Sequence, residues 1–346
     1  MRAWMTAFLC APLLLSPALA QQEPPQEAFE DEITVALDTV VLRVVDSWGR
    51  PVLGLQPEDF RVRVGKREIP VLDVEWVSSG ETESRPAPPE AEPQVMEEVV
   101  EEARPAGKLV VFFVQADLNS TRISGQMRLR PYTRDLLATL HPDDRVAVIS
   151  YDSHLKLWQD FTQDRGATHE AIDRAMVFTR EEDVPFGDPS LARHFDFAKA
   201  KKAASPERAL QVMAEALKPL PGEKVVIFLG WGLGRFGSWG VSMTPDYAPA
   251  VRALAAARAS VFVLDVTSAD AHSLEVGLGA VAEATGGAYF RTFRLPGLAT
   301  RTLARTILGH YVLLLDRDQL PAEGGKLKVE LRDKKGSVLL RPTAVR

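Results

Sequence analysis

The stretch "KVVIFLGWGLGRFG", Lys224 to Gly237, runs an apolar strand straight into glycines at 232, 234 and 237. This is the G-x-G-x-x-G spacing that cradles a dinucleotide when a helix opens on the last glycine. No helix pattern opens there. "SWGVSMT" follows, the next helix is expected from about Pro245, and Asp265, at the end of the next strand, lies beyond the roughly 20-residue spacing at which a ribose-binding acid is needed. The stretch reads instead as a strand ending in a glycine-rich loop at the carboxyl edge of a parallel sheet.

The same pattern recurs outward from it. "LVVFFV" precedes a helix expected over about Ser124 to Leu140, and "RVAVISY" and "LKLWQDF" precede one over Thr168 to Val177. "SPERALQVMAEALKPL" leads into Lys224 with Ser205 as N-cap and Pro206 at the first helical position, and Thr244-Pro245 repeats that arrangement before "YAPAVRALAAARA". "SVFVLDV" is a further strand, and "SLEVGLGAVAEATGG" a helix whose glycines suit a C-terminus. Near-continuous apolar strands between amphipathic helices predict a doubly wound parallel sheet, with its binding site at the carboxyl ends of the strands.

The flanks differ. Residues 33–77 carry the alternating runs "VVLRVV", "FRVRV" and "VLDVEWV", an N-terminal β-rich module. Residues 78–107 are an acidic linker rich in Pro and Glu, and residues 309–346 return to strand character. The α/β domain is expected over 108–308, inserted between β segments that pair with one another in a sandwich.

Composition bounds the function. At 346 residues, 46% hydrophobic and 25% charged, the chain has the make-up of a globular protein large enough for several modules. A net charge of −6 gives no basis for nucleic-acid binding. The N-terminus, "MRAWMTAFLCAPLLLSPALA", combines Arg2, an apolar run and Ala18-Leu19-Ala20, predicting a signal peptide over 1–20 and a secreted or periplasmic protein. Its apolar run is shorter than the roughly 20 residues of a membrane span, and no span is expected in the mature chain. Cys10, the one cysteine, would leave with it, which excludes thiol catalysis and Cys-based zinc sites. No intact enzyme motif occurs: "YDSH", Tyr151 to His154, places its side chains on alternating strand faces, and His169-Glu170 lacks the second histidine of H-E-x-x-H.

The segment "VVLRVVDSWGRPVLGLQPEDFRV", the acidic linker, the α/β unit ending in "ATGGAYF" and the following "GHYVLLL" together resemble the bacterial VWFA-related family, secreted proteins built around a von Willebrand factor type A domain. The resemblance covers most of the chain after the signal peptide. It implies a mostly parallel doubly wound sheet and a metal-ion-dependent adhesion site. There a D-x-S-x-S loop after the first strand, a Thr after a middle helix and an Asp after the fourth strand hold Mg²⁺ through hard oxygens.

Each position departs from that pattern. The first Asp falls on Gln115 or Ala116, the middle Thr on Ser190 within "GDPSL", and the last Asp, expected in L-[ST]-D-G, on Trp231 of "LGWG". A degenerate, metal-free site is therefore expected, and with it no cofactor. The alternative is a non-standard Mg²⁺ site built from Asp117, Asn119, Thr121 and Ser190. The expected function is that of an exported, non-catalytic module binding a protein partner through Asp117, Asn119, Ser190, Trp231, Phe236 and Trp239. The alternative is a divalent-metal-dependent adhesion protein.

Overall fold

Leu109 to Gln115 are buried one after another without interruption, a pattern that fits only a central strand covered on both faces. The computed structural model describes residues 37–78, 107–177, 183–238, 240–321 and 325–341. The expected signal peptide, nearly all of the acidic linker, and Trp239 lie outside the described residues.

In chain order the strands β1 (Leu37–Val45), β2 (Phe60–Val64), β3 (Arg67–Ile69) and β4 (Val71–Ser78) come first. Then follow β5 (Leu109–Gln115), α1 (Ser120–Ala138), β6 (Arg145–Tyr151), β7 (Leu155–Thr162), α2 (Arg165–Met176), α3 (Phe197–Lys201) and α4 (Pro206–Leu217). The next elements are β8 (Lys224–Gly230), β9 (Arg235–Gly237), β10 (Gly240–Ser242), α5 (Tyr247–Ala256), β11 (Ala259–Asp265), α6 (Glu275–Ala284), β12 (Tyr289–Arg291) and α7 (Pro296–Thr306). Strands β13 (Gly309–Asp316), β14 (Leu327–Leu331) and β15 (Ser337–Leu340) complete the described chain.

Six strands form one sheet in the order β12-β11-β8-β5-β6-β7, parallel except for β7. This is the mixed α/β, mostly parallel, doubly wound sheet expected from the sequence. Along β5 the side chains alternate between two cores. Val111 and Phe113 pack with α4, α5 and α6, while Val110, Phe112 and Val114 pack with α1, α2 and α7. Strand order reverses between β5 and β8, and at such a switch point the crossovers leave to opposite faces and open a crevice at the carboxyl ends of the two strands.

Three local expectations are corrected. Strand β7 is antiparallel to β6, because Asp152 to His154 form a tight turn and a turn of that length cannot carry a parallel crossover. Helix α1 begins at Ser120, four residues before the expected Ser124, because the Asn119 side chain accepts the Thr121 amide and caps it. Helix α5 begins at Tyr247 with Asp246 at its N-cap, so Thr244-Pro245 does not repeat the Ser205-Pro206 start. The Asp246 carboxylate instead accepts a hydrogen bond from the Ser205 hydroxyl at 2.8 Å, which ties the starts of α4 and α5 together.

The N-terminal and C-terminal strands pair with each other. Strand β1 is antiparallel to both β13 and β15, with Leu42 opposite Tyr311 on one side and Leu340 on the other, and β4 lies on the far edge of β13. A second sheet has the order β14-β2-β3. Val40, Leu42 and Val44 from the first sheet and Phe60, Val62 and Val64 from the second join one apolar cluster. Tyr311 crosses it, donating its hydroxyl to the Val52 carbonyl at 2.8 Å.

This β region meets the amino ends of β8 and β11 through a buried ionic joint. Arg43, 2% exposed, pairs with Glu223, donates to the Ser260 hydroxyl at 3.5 Å and stacks on the Phe262 ring. His310 Nδ1 stands 3.2 Å from the other Glu223 oxygen. Burial alone would raise the Glu223 pKa, but the charges of Arg43, His310 and Lys108 outweigh it and hold the carboxyl well below the usual range.

Replacing Glu223 with Ala leaves Arg43 buried without its counter-charge, and the expected loss is about 3–5 kcal/mol in urea unfolding at pH 7. A depressed carboxylate stabilises the fold above its unfolded pKa, about 4.3 for Glu, and that stabilisation is lost as the pH falls below it. Wild-type stability should therefore drop more steeply than that of Glu223→Ala between pH 5 and pH 3, on the order of the interval set by that pKa; parallel profiles would disprove the linkage.

Candidate functional site

At the switch point the last residue of β5 is Gln115, fully buried. Its amide nitrogen donates to the Gly232 carbonyl at 2.9 Å, and its amide oxygen accepts from the backbone N–H groups of Trp231 and Gly232 at 2.9 and 3.2 Å. The Gln115 carbonyl accepts from the side chain of Gln126 on α1 at 2.8 Å. A neutral amide thus bridges the two central strands where the resemblance implies a carboxylate. Both its donor and its acceptor are used on the backbone of the loop after β8.

That loop explains the glycines. Gly232 lies so close to Leu274 that an added Cβ would stand 2.6 Å from the leucine Cβ. Gly234 has φ +89°, left-handed backbone that favours glycine, and turns the chain into the β9–β10 hairpin. Its N–H donates to the buried Glu207 of α4 at 2.7 Å. Gly237 lies in β9, so the loop leads into a hairpin and presents no helix N-terminus to a phosphate.

The expected site residues fall into two groups. In the turn before α1, Asp117 accepts the Asn119 N–H at 2.7 Å and pairs with Arg122, while the Asn119 side chain accepts from both the amide and the hydroxyl of Thr121. The Arg122 guanidinium carbon lies 3.3 Å from the centre of the Trp231 ring, a cation–π stack that carries Asp117 and Trp231 in one unit. Ser190 belongs to a different arrangement. It is buried and donates to Asp160 at 2.5 Å, and Asp160 also accepts the N–H groups of Gly187 and Leu191.

Mg²⁺ requires about six oxygens in near-octahedral array. The proposed alternative set offers one carboxylate, already neutralised by Arg122, and an amide, a hydroxyl and a serine that each have partners within the fold. These residues do not fit a hard divalent cation.

An open groove of about 520 Å³ runs over this surface, between the first turn of α1 and the 267–274 loop. Arg122, Trp231, Phe236, His272 and Leu274 line it. Its walls are fastened to one another: the Ser268 hydroxyl donates to the Thr121 carbonyl at 3.1 Å, and Arg128 donates to the Thr267 carbonyl at 3.0 Å. Phe236 is 72% exposed on one side, and Leu118, 77% exposed, lies in the turn before α1. Trp231 is half-buried, its ring packed on the core while its indole N–H is buried without a hydrogen-bond partner.

Sequence reading missed Arg122, Glu207 and Asp160 as determinants of this surface. Glu207 had a legible signal, since it follows Ser205-Pro206 in the first turn of a helix, where an acid meets unpaired N–H groups. Asp160 had a weaker one, a buried acid beside the buried Phe161 in a strand whose other polar residues are only partly buried.

No protein-family model matches the chain, and no curated protein matches it. Among solved structures it is similar to the conserved hypothetical protein BatB from Bacteroides thetaiotaomicron, at 14% identity over 58% of this chain and 97% of that one, with a TM-score of 0.39. It is also similar to a von Willebrand factor type A protein from Catenulispora acidiphila, at 12% identity over 90% of this chain and 73% of that one, TM-score 0.40. A third is proximal thread matrix protein 1 of the mussel byssus, solved with zinc in its MIDAS motif, at 13% identity over 59% of this chain and 47% of that one, TM-score 0.37. Likeness at this level carries no inference to this chain, whose fold stands on its own strand order and register.

Gln115→Ala should destabilise the protein by about 2–4 kcal/mol, since two backbone N–H groups lose their buried acceptor and a cavity opens between β5 and β8. Denaturant unfolding checks this; a loss below about 0.5 kcal/mol, the level of an ordinary surface substitution, would show that the amide bridge is not structural.

Proposed function

We propose that the protein is an exported, non-catalytic interaction module of the von Willebrand factor A type, whose metal-ion-dependent site has become a metal-free protein-binding surface. The observation that carries this reading is the groove beside Trp231. Its floor is tied down by the Gln115 amide rather than by metal-ligating carboxylates, and its rim exposes Phe236. Aromatic side chains on a rigid concave surface are the residues that supply most of the energy of protein–protein contacts. Arg122 adds a cation that is already ordered by stacking and pairing, so little side-chain entropy is lost when a partner's carboxylate or carbonyl meets it.

Export rests on the sequence of residues 1–20, and among the described residues no helix is long and apolar enough to cross a membrane. The two flanking sheets, sharing one apolar cluster, are read as a sandwich-like module into which the α/β domain is inserted. In this arrangement the groove lies at the carboxyl ends of the strands while the ionic joint lies at the amino ends, so partner binding and domain attachment use opposite edges of the sheet.

Two measurements test the reading. Thermal unfolding with added Mg²⁺ should show no shift, because a ligand bound by the folded state alone must raise the melting temperature. A rise that Asp117→Ala abolishes would favour the metal-dependent adhesion alternative. Capture from the native envelope fraction should retain a protein on wild type and lose it with Trp231→Ala and Phe236→Ala; equal capture by all three would remove the aromatic surface from the proposal.

A further inference from the structure

Of the five N–H groups of the Arg122 guanidinium, the fold uses Nη1, which pairs with Asp117 Oδ2. Among the described residues no acceptor takes Nε or Nη2, and the side chain remains 29% exposed on the wall of the groove. We propose that these donors receive the carboxylate of an acidic residue that the partner protein carries between apolar neighbours, and that Asp117 is an internal competitor for the same guanidinium. This rests on the groove's being a protein-binding surface, and names the chemistry it selects.

The charge of the groove has one sign. Arg122 is the one side chain of fixed charge among the described residues that line it, the rest being hydroxyls, apolar groups and His272. Behind His272 the carboxylate of Asp265 is 3% exposed and taken up by Thr267, Tyr289 and His272 itself. Helix α1 adds the positive end of a 19-residue dipole, with no acid in its first turn. A carboxylate entering the groove meets two sources of positive potential, offset in part by Asp117.

The donors are also aligned in advance. Nε and Nη2 share one edge of the guanidinium plane, the pair of parallel donors that takes both oxygens of a carboxylate. The stack on Trp231, 3.3 Å from ring centre to guanidinium carbon, fixes that plane before a partner arrives. The ring also keeps water from one face, which strengthens an ion pair made at the edge. Phe236, 72% exposed, and Leu274 stand beside it to receive the apolar neighbours of the acid.

Asp117 shows that this guanidinium accepts a carboxylate while it is stacked. Its Oδ1 accepts the Asn119 N–H at 2.7 Å and its Oδ2 pairs with Arg122, so the fold holds it in place whether or not a partner is present. Its charge weakens the pull of Arg122 on a second carboxylate. Asparagine at this position keeps the Oδ1 bond and withdraws the charge, and so is expected to strengthen partner binding.

The test is the binding of two labelled, capped peptides to full-length protein by fluorescence anisotropy. One has a single glutamate between a leucine and a phenylalanine, and the other has glutamine in its place. Wild type is expected to bind the glutamate peptide about 10-fold tighter, the difference between a charge-assisted and a neutral pair. With circular dichroism unchanged, Arg122→Gln should bind both peptides alike, and Arg122→Lys should keep only part of the preference, since lysine has no parallel donors. Asp117→Asn should bind the glutamate peptide about threefold tighter than wild type does. Equal binding of the two peptides by wild type, a preference that survives Arg122→Gln, or no gain with Asp117→Asn would overturn the proposal. Equal binding that vanishes with Trp231→Ala removes the acid and keeps the aromatic surface. Binding of neither peptide also overturns the acid preference, and the capture experiment with Trp231→Ala and Phe236→Ala then decides the surface by itself.

Discussion

Glu223 is the fixed point of the molecule. A guanidinium as deeply buried as Arg43 is tolerable only if it is paired and hydrogen-bonded, and the pairing partner sits immediately before β8, at the base of the central sheet. Ser260, at the base of β11, accepts from Arg43 and also from Arg341, which follows β15. Burial, and after it the nearby Arg43, pushes Arg341 down to about 10. The flanking strands are thereby tied to the α/β domain by directional charged contacts as well as by neutral ones such as the Thr306 hydroxyl on the Gly49 carbonyl.

At the other edge of the sheet the constraint is geometric. Reversal of strand order between β5 and β8 creates a crevice whatever the sequence, and the chain must fill it, leave it open or ligate something in it. Gln115 fills it with an amide whose two ends match the donors and acceptor of the facing loop. The chemistry is displaced outward as a result. The Arg122–Trp231 stack lies beside the crevice, on the wall of the groove.

The parts of this architecture readable in the sequence were those governed by local rules. Apolar runs within Leu109–Gln115 and Lys224–Gly230 mark the central strands because a strand covered on both faces buries seven residues in succession, and Ser205-Pro206 marks the start of α4 because the cap is made by neighbours. The orientation of β7 was open to the same reasoning, since the turn before it is too short for a crossover. What could not be read depended on distance in sequence. Asp265 and Tyr289 are 24 residues apart, Gln115 and Gly232 117, and their meeting follows from sheet order rather than from spacing. Asp117, Asn119 and Ser190 look alike as oxygen donors on paper, and it is Asp160 that draws Ser190 into a separate network.

The pairing of β1 with β13 and β15 also sets the order in which the molecule can be completed. Leu42 must wait for Tyr311 and Leu340, so the loop closed by that contact spans nearly the whole described chain, and contacts of such separation form late. Until then β1 and β4 are strands with open edges, the form of polypeptide most prone to pair with a neighbour. A chain stopping short of Gly309 could fold its central sheet and still lack the partner strand of both. The condition of β13 and β15 is thus reported at the first strand, whose edges would be left open by the loss of either.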